Sequence, residues 1–227
     1  MTAHLRPTAW IAHDALLPGD PGRALALAQA LLDRPRMANH NRGLWGYSGV
    51  AANGLELTIQ STGIGGPSGA IVLEELATLG VRRAIRVGTC VALGGELELG
   101  EVVLVGRAFG DDGTSRALGA NQASRPDPAL QALLERRGET AAEITVASTD
   151  LFYDPERERR REAWVAAGAS AVELGTAALF EVGRRRGVAV ASCLVVSELP
   201  DGARVSDEGL AEAAGSAGAI GARALGG

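Results

Sequence analysis

The sequence predicts an α/β fold, a single domain over residues 1–227 with a central mixed β-sheet flanked by helices. Three observations carry this. Residues 55–60 (LELTIQ) alternate apolar and polar, then give way to a glycine-rich turn, a helically spaced apolar pattern and a second strand-like run at 84–87 (AIRV). That order is a β-turn-α-β unit, whose two strands run parallel. Residues 44–50 and 55–61 flank Asn53-Gly54, a strong signal for an antiparallel hairpin. Residues 188–196 (VAVASCLVV) are almost unbroken apolar, as in a strand buried on both faces. A chain of 227 residues can bury a substantial core as one domain, and no Ser/Pro-rich linker divides it.

Taken in order, residues 8–12 (TAWIA) form a short apolar segment expected as the first strand. Residues 16–23 (LLPGDPGR) place two prolines and two glycines in a tight turn, with a helix following to about Leu32. Arg23 falls in the first turn of that helix, where a cation is disfavoured unless an anion shares the site. A phosphate contact and a solvated surface arginine are both open readings there. His40 to Gly43 form a polar turn before the hairpin. Gly63, Gly65 and Gly66 let the backbone turn sharply, and Pro67 suits the first turn of the next helix because its missing N–H would be unpaired there. Ile71, Val72, Leu76 and Leu79 give that helix its apolar face, and Gly80 ends it.

Residues 100–105 are expected as a strand, 111–121 as a polar loop, 128–137 as a helix and 144–147 as a strand leading into Ser148-Thr149-Asp150. The charge run 156–161 (ERERRR) heads a helix through Trp164 to Ala167 and reads mostly as a solvated face. Residues 173–186 are expected as one long helix with Leu174, Ala177, Ala178 and Val182 inward, and a final Ala/Gly-rich helix starts near Asp207.

The chemistry concentrates where strands end. Arg86 interrupts a parallel strand that should be apolar, so it needs an anionic partner: a bound oxyanion, a structural carboxylate, or solvent. Gly88-Thr89 follows at once, supplying backbone amides and a hydroxyl at the strand's C-terminal edge, where open α/β sheets bind ligands. Glu198 puts a carboxylate at the end of the 188–196 run. Phe152-Tyr153 is an adjacent aromatic pair in a chain only 4% aromatic, offering either a stacking surface for a flat ligand or simple packing.

Composition excludes several classes. A formal net charge of −5 gives no field for nucleic acid or an anionic membrane. All 22 basic residues are arginine, so their number says little and their positions must carry the argument. No run of about 18 uncharged apolar residues predicts a transmembrane helix, and residues 1–14 (MTAHLRPTAWIAHD) show no basic start followed by a long apolar core, so export is not expected. Two cysteines, Cys90 and Cys193, suit a reducing cytoplasm without disulfides. The glycine turn lacks the acidic residue that a dinucleotide site places about 20 positions on. Gly66-Pro67-Ser68-Gly69-Ala70 misses the nucleophile elbow by one glycine, and all three histidines (His4, His13, His40) precede Ser68, against hydrolase order. No Cys/His cluster has metal-ligand spacing, so no metal site is expected.

The ordered motifs LLPGDPGRA (16–24), DRP (33–35), HNRG (40–43), STGIGGPS (61–68), EELATLG (74–80), IRVGTC (85–90), STDLFY (148–153) and AVEL (171–174) together resemble the nucleoside phosphorylases of the uridine and hexameric purine type. STGIGGPS, EELATLG, DDGTS and STDLFY are nearer the uridine branch. The resemblance implies phosphate-dependent cleavage of nucleosides to free base and pentose 1-phosphate, in nucleoside catabolism and nucleotide salvage. It implies inorganic phosphate as co-substrate and no cofactor. Gly19, Arg23, Arg86 and Thr89 would hold phosphate, with Arg42 supplied by the neighbouring subunit of a site-sharing dimer. His4 would reach across the same interface to the 5′-hydroxyl, Phe152 would stack on the base, and the dimers would assemble as a ring of three.

Three departures stand against the pattern. The family's Glu-Met-Glu ribose motif reads Glu173-Leu174-Gly175 here; Gly175 removes a carboxylate that accepts from the sugar hydroxyls, at about 1.5–3 kcal/mol per bond. Either Glu173 or Glu181 is left as a possible stand-in. Glu198 stands where the purine branch has an aspartate general acid, and the arginine that assists it is not evident. The uridine branch reads its base with Gln and Arg after Phe-Tyr; here the segment is shorter, with Arg157 as the candidate arginine. The implied activity is therefore uridine phosphorylase-like, with a purine nucleoside phosphorylase or a catalytically impaired nucleoside-binding homologue as the alternatives.

Overall fold

Five consecutive buried residues, Asp14–Pro18, make the first strand, β1. Its proline is the last residue, where the ladder needs no further donor. The structure is a computed structural model that describes residues 2–120, 123–138 and 140–227. Residues 8–12 are not a strand, which corrects the expectation from sequence. Ala12 N–H goes to the Thr58 hydroxyl at 2.8 Å instead of to a ladder partner, and the apolar face the sheet needs is supplied by Leu16-Leu17.

Helix α1 (Pro21–Leu31) follows, then β2 (Leu32–Asn39), a 3-10 turn at Asn41–Gly43, β3 (Gly46–Ala51) and β4 (Glu56–Gln60). The hairpin at Asn53-Gly54 forms as read, β3 pairing antiparallel with β4. Helix α2 (Gly65–Thr78) leads to β5 (Arg83–Ala92). β4 and β5 run in the same direction, but β1 lies between them, parallel to both. Next come β6 (Val102–Asp111), α3 (Gly113–Ala117), β7 (Ala123–Ser124), α4 (Pro128–Arg137) and β8 (Glu143–Thr149). The 111–121 stretch is thus the end of a strand plus a short helix, capped by Asp112 accepting from Ser115 N–H at 2.7 Å; its last expected residue, Asn121, lies outside the described residues. The chain closes with α5 (Arg157–Ala166), β9 (Ala171–Glu173), α6 (Thr176–Arg186), β10 (Ala189–Glu198) and α7 (Asp207–Leu225).

The helix expected from Glu173 therefore begins three residues later. Glu173 ends a strand, and its carboxylate takes the N–H groups of Gly175 and Thr176 at 2.8 Å each, capping α6 from outside. The sheet is mixed. β10 pairs with β5 in parallel and with β6 antiparallel; β6 continues through β8 and β9, and β9 returns antiparallel to β5. This closes a ring of five strands, from which β1, β4, β3 and β2 extend as an open arm. One face packs on α2 and α6 through Leu73, Leu76, Leu179 and Val182. The other packs on α1, α4 and α7 through Leu27, Leu134, Ala217 and Leu225. Among the described residues, no helix is long and apolar enough to cross a membrane.

Candidate active site

The C-terminal ends of β1, β5, β8, β9 and β10 converge on one cavity of about 360 Å³. Its first end is built for an anion. Gly19 follows β1, and Asp20 caps α1 by accepting from Arg23 N–H at 2.7 Å. Arg23 is half-buried, and that burial depresses its pKa; Asp20 opposes this, and the positive charge of Arg86 adds to it. Two guanidiniums thus face the same space, where a dianion relieves their repulsion. Gly63 and Gly65 line the same end with φ of +73° and +85°, a left-handed backbone that only glycine adopts readily. They deliver the N-terminus of α2, which has no side-chain cap.

Arg86 projects from β5 across Gly88. A Cβ at position 88 would lie 3.1 Å from Arg86 Nε and 2.8 Å from Leu194 Cδ2, so the glycine is what lets the guanidinium pass. Arg86 Nη2 donates to Glu173 Oε2 at 3.0 Å. Its Nε is buried without a protein partner among the described residues. Arg86 therefore has a structural carboxylate and still keeps a donor to spend. Glu173 spends everything: its entirely buried side chain accepts from Arg86, Gly175 N–H, Thr176 N–H and the Ser148 hydroxyl. Thr89 lines the cavity beside Arg86, and Leu174 lines it beside Glu173.

The opposite end is flat and polar. Phe152 is half-exposed and meets Tyr153 edge-on, centroids 4.9 Å apart. Arg157 Nη2 approaches Glu198 Oε1 at 3.3 Å. Arg204 Nε and Nη2 hold Glu198 Oε2 at 2.9 and 2.8 Å. Arg204, which the sequence reading did not single out, is thus a second arginine on this carboxylate. A turn over residues 199–203, closed by Leu199 N–H to Ala203 C=O at 2.9 Å, folds it back onto Glu198. The signal was Pro200-Asp201-Gly202, a turn tripeptide directly after a strand. The charge run of α5 is likewise only partly solvated: Arg160 Nη1 and Trp164 Nε1 meet Asp111 Oδ2 at 3.2 and 3.1 Å, fixing the helix as a cavity wall.

Gly175 stands just outside, where a Cβ would meet the backbone of Gly65 and Gly66 at 3.5–3.6 Å. Its φ of −172° is extended backbone open to any residue. His4 and Arg42 do not line this cavity. They lie near each other, with Asn41 Nδ2 donating to His4 C=O at 2.7 Å and the His4 ring held 2.9 Å from Glu75. Glu181 is engaged elsewhere, with Ser124 and Arg184. The cysteines are inert: burial raises the Cys90 thiol far above its usual range and pushes Cys193 up to about 12.

Residues 14–225 match the family model of the phosphorylase superfamily. A DeoD-type purine nucleoside phosphorylase of Caldanaerobacter subterraneus subsp. tengcongensis is 33% identical over 198 residues, 83% of each chain. A guanosine phosphorylase of Halorubrum lacusprofundi is 37% identical over 83% of this chain and 79% of that one. A uridine phosphorylase of Treponema pallidum is 34% identical over 82% and 77%. Among solved structures, uridine phosphorylase from Vibrio fischeri ES114 superposes with a TM-score of 0.87 at 28% identity, covering 95% of this chain and 91% of that one. Sequence, fold and the placement of the cavity agree: this chain belongs to the phosphorylase superfamily.

Proposed function

We propose that this protein cleaves the N-glycosidic bond of nucleosides with inorganic phosphate, releasing free base and pentose 1-phosphate. The observation that carries it is the convergence of Arg23 and Arg86, the latter with a spare buried donor, at one end of a cavity whose other end holds Phe152 and Glu198. A water nucleophile would need no such pair of cations. Phosphate held by Gly19, Arg23, Arg86 and Thr89 attacks C1′ as the C1′–N bond breaks. The bond's electron pair passes to the base, and Glu198 hands the base a proton. Positioning and electrostatics supply the catalysis, and no cofactor takes part.

A purine base is favoured over uracil by the pairing of Glu198 with Arg204, which supplies the general acid and its assisting arginine together. Among the described residues, no asparagine or glutamine lines the cavity to serve as the uridine branch's amide. Arg42 and His4, close together and outside their own cavity, fit a role in a neighbouring subunit's site. The assembly is then a site-sharing dimer, three of which form a ring. A cytoplasmic location keeps both thiols reduced. Base release from inosine, guanosine, adenosine, uridine and their deoxy counterparts, each with and without phosphate, tests the reading. Phosphate-dependent release of purines is expected, and cleavage unchanged by removing phosphate would overturn it.

A further inference from the structure

The cavity's carboxylates can be accounted for one by one. Asp20, Asp154, Glu173 and Glu198 line it. Asp20 stands at the anion end, where one oxygen caps α1. Asp154 lies 2.8 Å from Arg160. Glu198 is clamped between Arg157 and Arg204. Glu173 has four donors on two oxygens and no exposed surface. Leu174, Val172 and Gly65 also line the cavity, in which a pentose must sit to join phosphate to base. Among the described residues, no further carboxylate lines it.

A vicinal diol is ordinarily held by an acidic side chain that accepts from both hydroxyls. Position 175 adjoins the cavity, since a Cβ there would pack against Gly65, which lines it together with the neighbouring Glu173 and Leu174. Neither backbone nor packing demands glycine: φ is −172°, and an added Cβ would make ordinary contacts at 3.5–3.6 Å. The absence of a further carboxylate among the described residues is thus a property of the pocket and not a by-product of the fold.

We propose that the sugar site selects pentoses lacking the 2′-hydroxyl, so that 2′-deoxynucleosides are the substrate class. The inference rests on the phosphorolytic reading above. A ribose hydroxyl carried against Leu174 and Gly65 gives up water and gains no carboxylate acceptor. A 2′-deoxy sugar brings one hydroxyl fewer to desolvate. Because an apolar wall rejects an added hydroxyl by about 100-fold at most, the expected preference in kcat/KM is about 10- to 100-fold.

The experiment compares deoxyinosine with inosine, and deoxyuridine with uridine, at saturating phosphate, for wild type, Gly175→Ala and Gly175→Glu. The deoxynucleoside should be favoured at least about tenfold by wild type and by Gly175→Ala, which fills space without an acceptor. Gly175→Glu should lower the ratio toward one by raising activity on the ribonucleoside. A wild-type ratio near one, or favouring ribose, overturns the proposal. Turnover of no nucleoside with phosphate would sink the phosphorolytic reading instead. The sugar preference is then decided by calorimetric binding of the same pairs in phosphate: tighter deoxynucleoside binding upholds it and equal affinity rejects it.

Discussion

Removing the Arg86 guanidinium tests fold and proposed function together, because it both holds Glu173 and lines the proposed phosphate site. Arg86→Ala leaves Glu173 entirely buried without the cation 3.0 Å from its Oε2. Breaking a buried ion pair by deleting one partner costs about 3–5 kcal/mol. Glu173 keeps three other donors, from Ser148, Gly175 and Thr176, which puts the loss at the low end, about 3 kcal/mol. For a chain of this length that corresponds to a fall in Tm of about 6–12 °C. Phosphate adds a second signature. At 100 times its Kd a ligand stabilises the folded state by about 2.7 kcal/mol, and Arg86→Ala should lose most of that increment along with phosphate-dependent turnover. Arg86→Lys retains the charge without the fork, so it should recover part of the stability and little of the phosphate affinity. Thermal unfolding across a phosphate titration reads both effects. The reasoning is refuted if the variant shows the wild-type phosphate-induced shift, or if its Tm without phosphate is unchanged.

Two other perturbations separate local roles. Phe152→Ala removes a half-exposed ring and should leave stability within about 0.5 kcal/mol, while loss of stacking on the base, about 1–3 kcal/mol, lowers kcat/KM by about 5- to 150-fold; unchanged kinetics would assign the ring to packing. Glu75 anchors the N-terminal segment: burial works to raise its pKa, but hydrogen bonds from Leu5, His4 and Ala3 outweigh this and hold the carboxyl below its usual 4.5. A depressed folded-state pKa means the stabilisation is complete above the usual carboxylate range and is lost as pH falls through the folded value. Glu75→Gln should therefore be less stable than wild type in urea at pH 7, with the difference shrinking on acidification below about pH 4.5. A difference independent of pH would show that charge is not what holds the segment.

Most of this architecture was legible where local rules and the fold agree. Asn53-Gly54 gave its hairpin, residues 128–137 and the start of α7 at Asp207 fell where caps and periodicity put them, Glu198 stood out as a charge ending an apolar strand, and Arg86 stood out as a charge in a strand that runs on to Ala92. The failures share a cause. β1 was hidden because Leu16-Leu17-Pro18 adjoins Gly19 and Pro21, so turn signals masked a buried strand. β2 carries Asp33-Arg34-Pro35 and a register shift there, features an edge strand tolerates and a central one does not. β9 is three residues long, too short for any period, and exists only because β5 and β8 flank it. Arg204 was missed on other grounds: what matters is its return onto Glu198 through the Pro200-Asp201-Gly202 turn, whose signal marks a turn but not the contact it makes.

The division of labour between Glu173 and Gly175 follows from the same geometry. A carboxylate at the mouth of α6 is stabilised by the helix N-terminus and by Arg86 at once, so it fixes the guanidinium before any ligand arrives, and that preorganisation is what electrostatic catalysis requires. Having spent both oxygens on the frame, Glu173 has none for a substrate. Sugar recognition must then come from another position, and 175 is the neighbouring residue whose side chain would face Gly65. The phosphate site and the sugar site are in this way separable: a change at 175 leaves every donor to Glu173 in place, because Gly175 contributes only its backbone N–H. Gly175→Glu should accordingly alter the ratio of ribo- to deoxynucleoside turnover while leaving the KM for phosphate within about twofold. A parallel shift in phosphate KM would mean that the two ends are coupled through α6 and that the frame is not independent of the sugar.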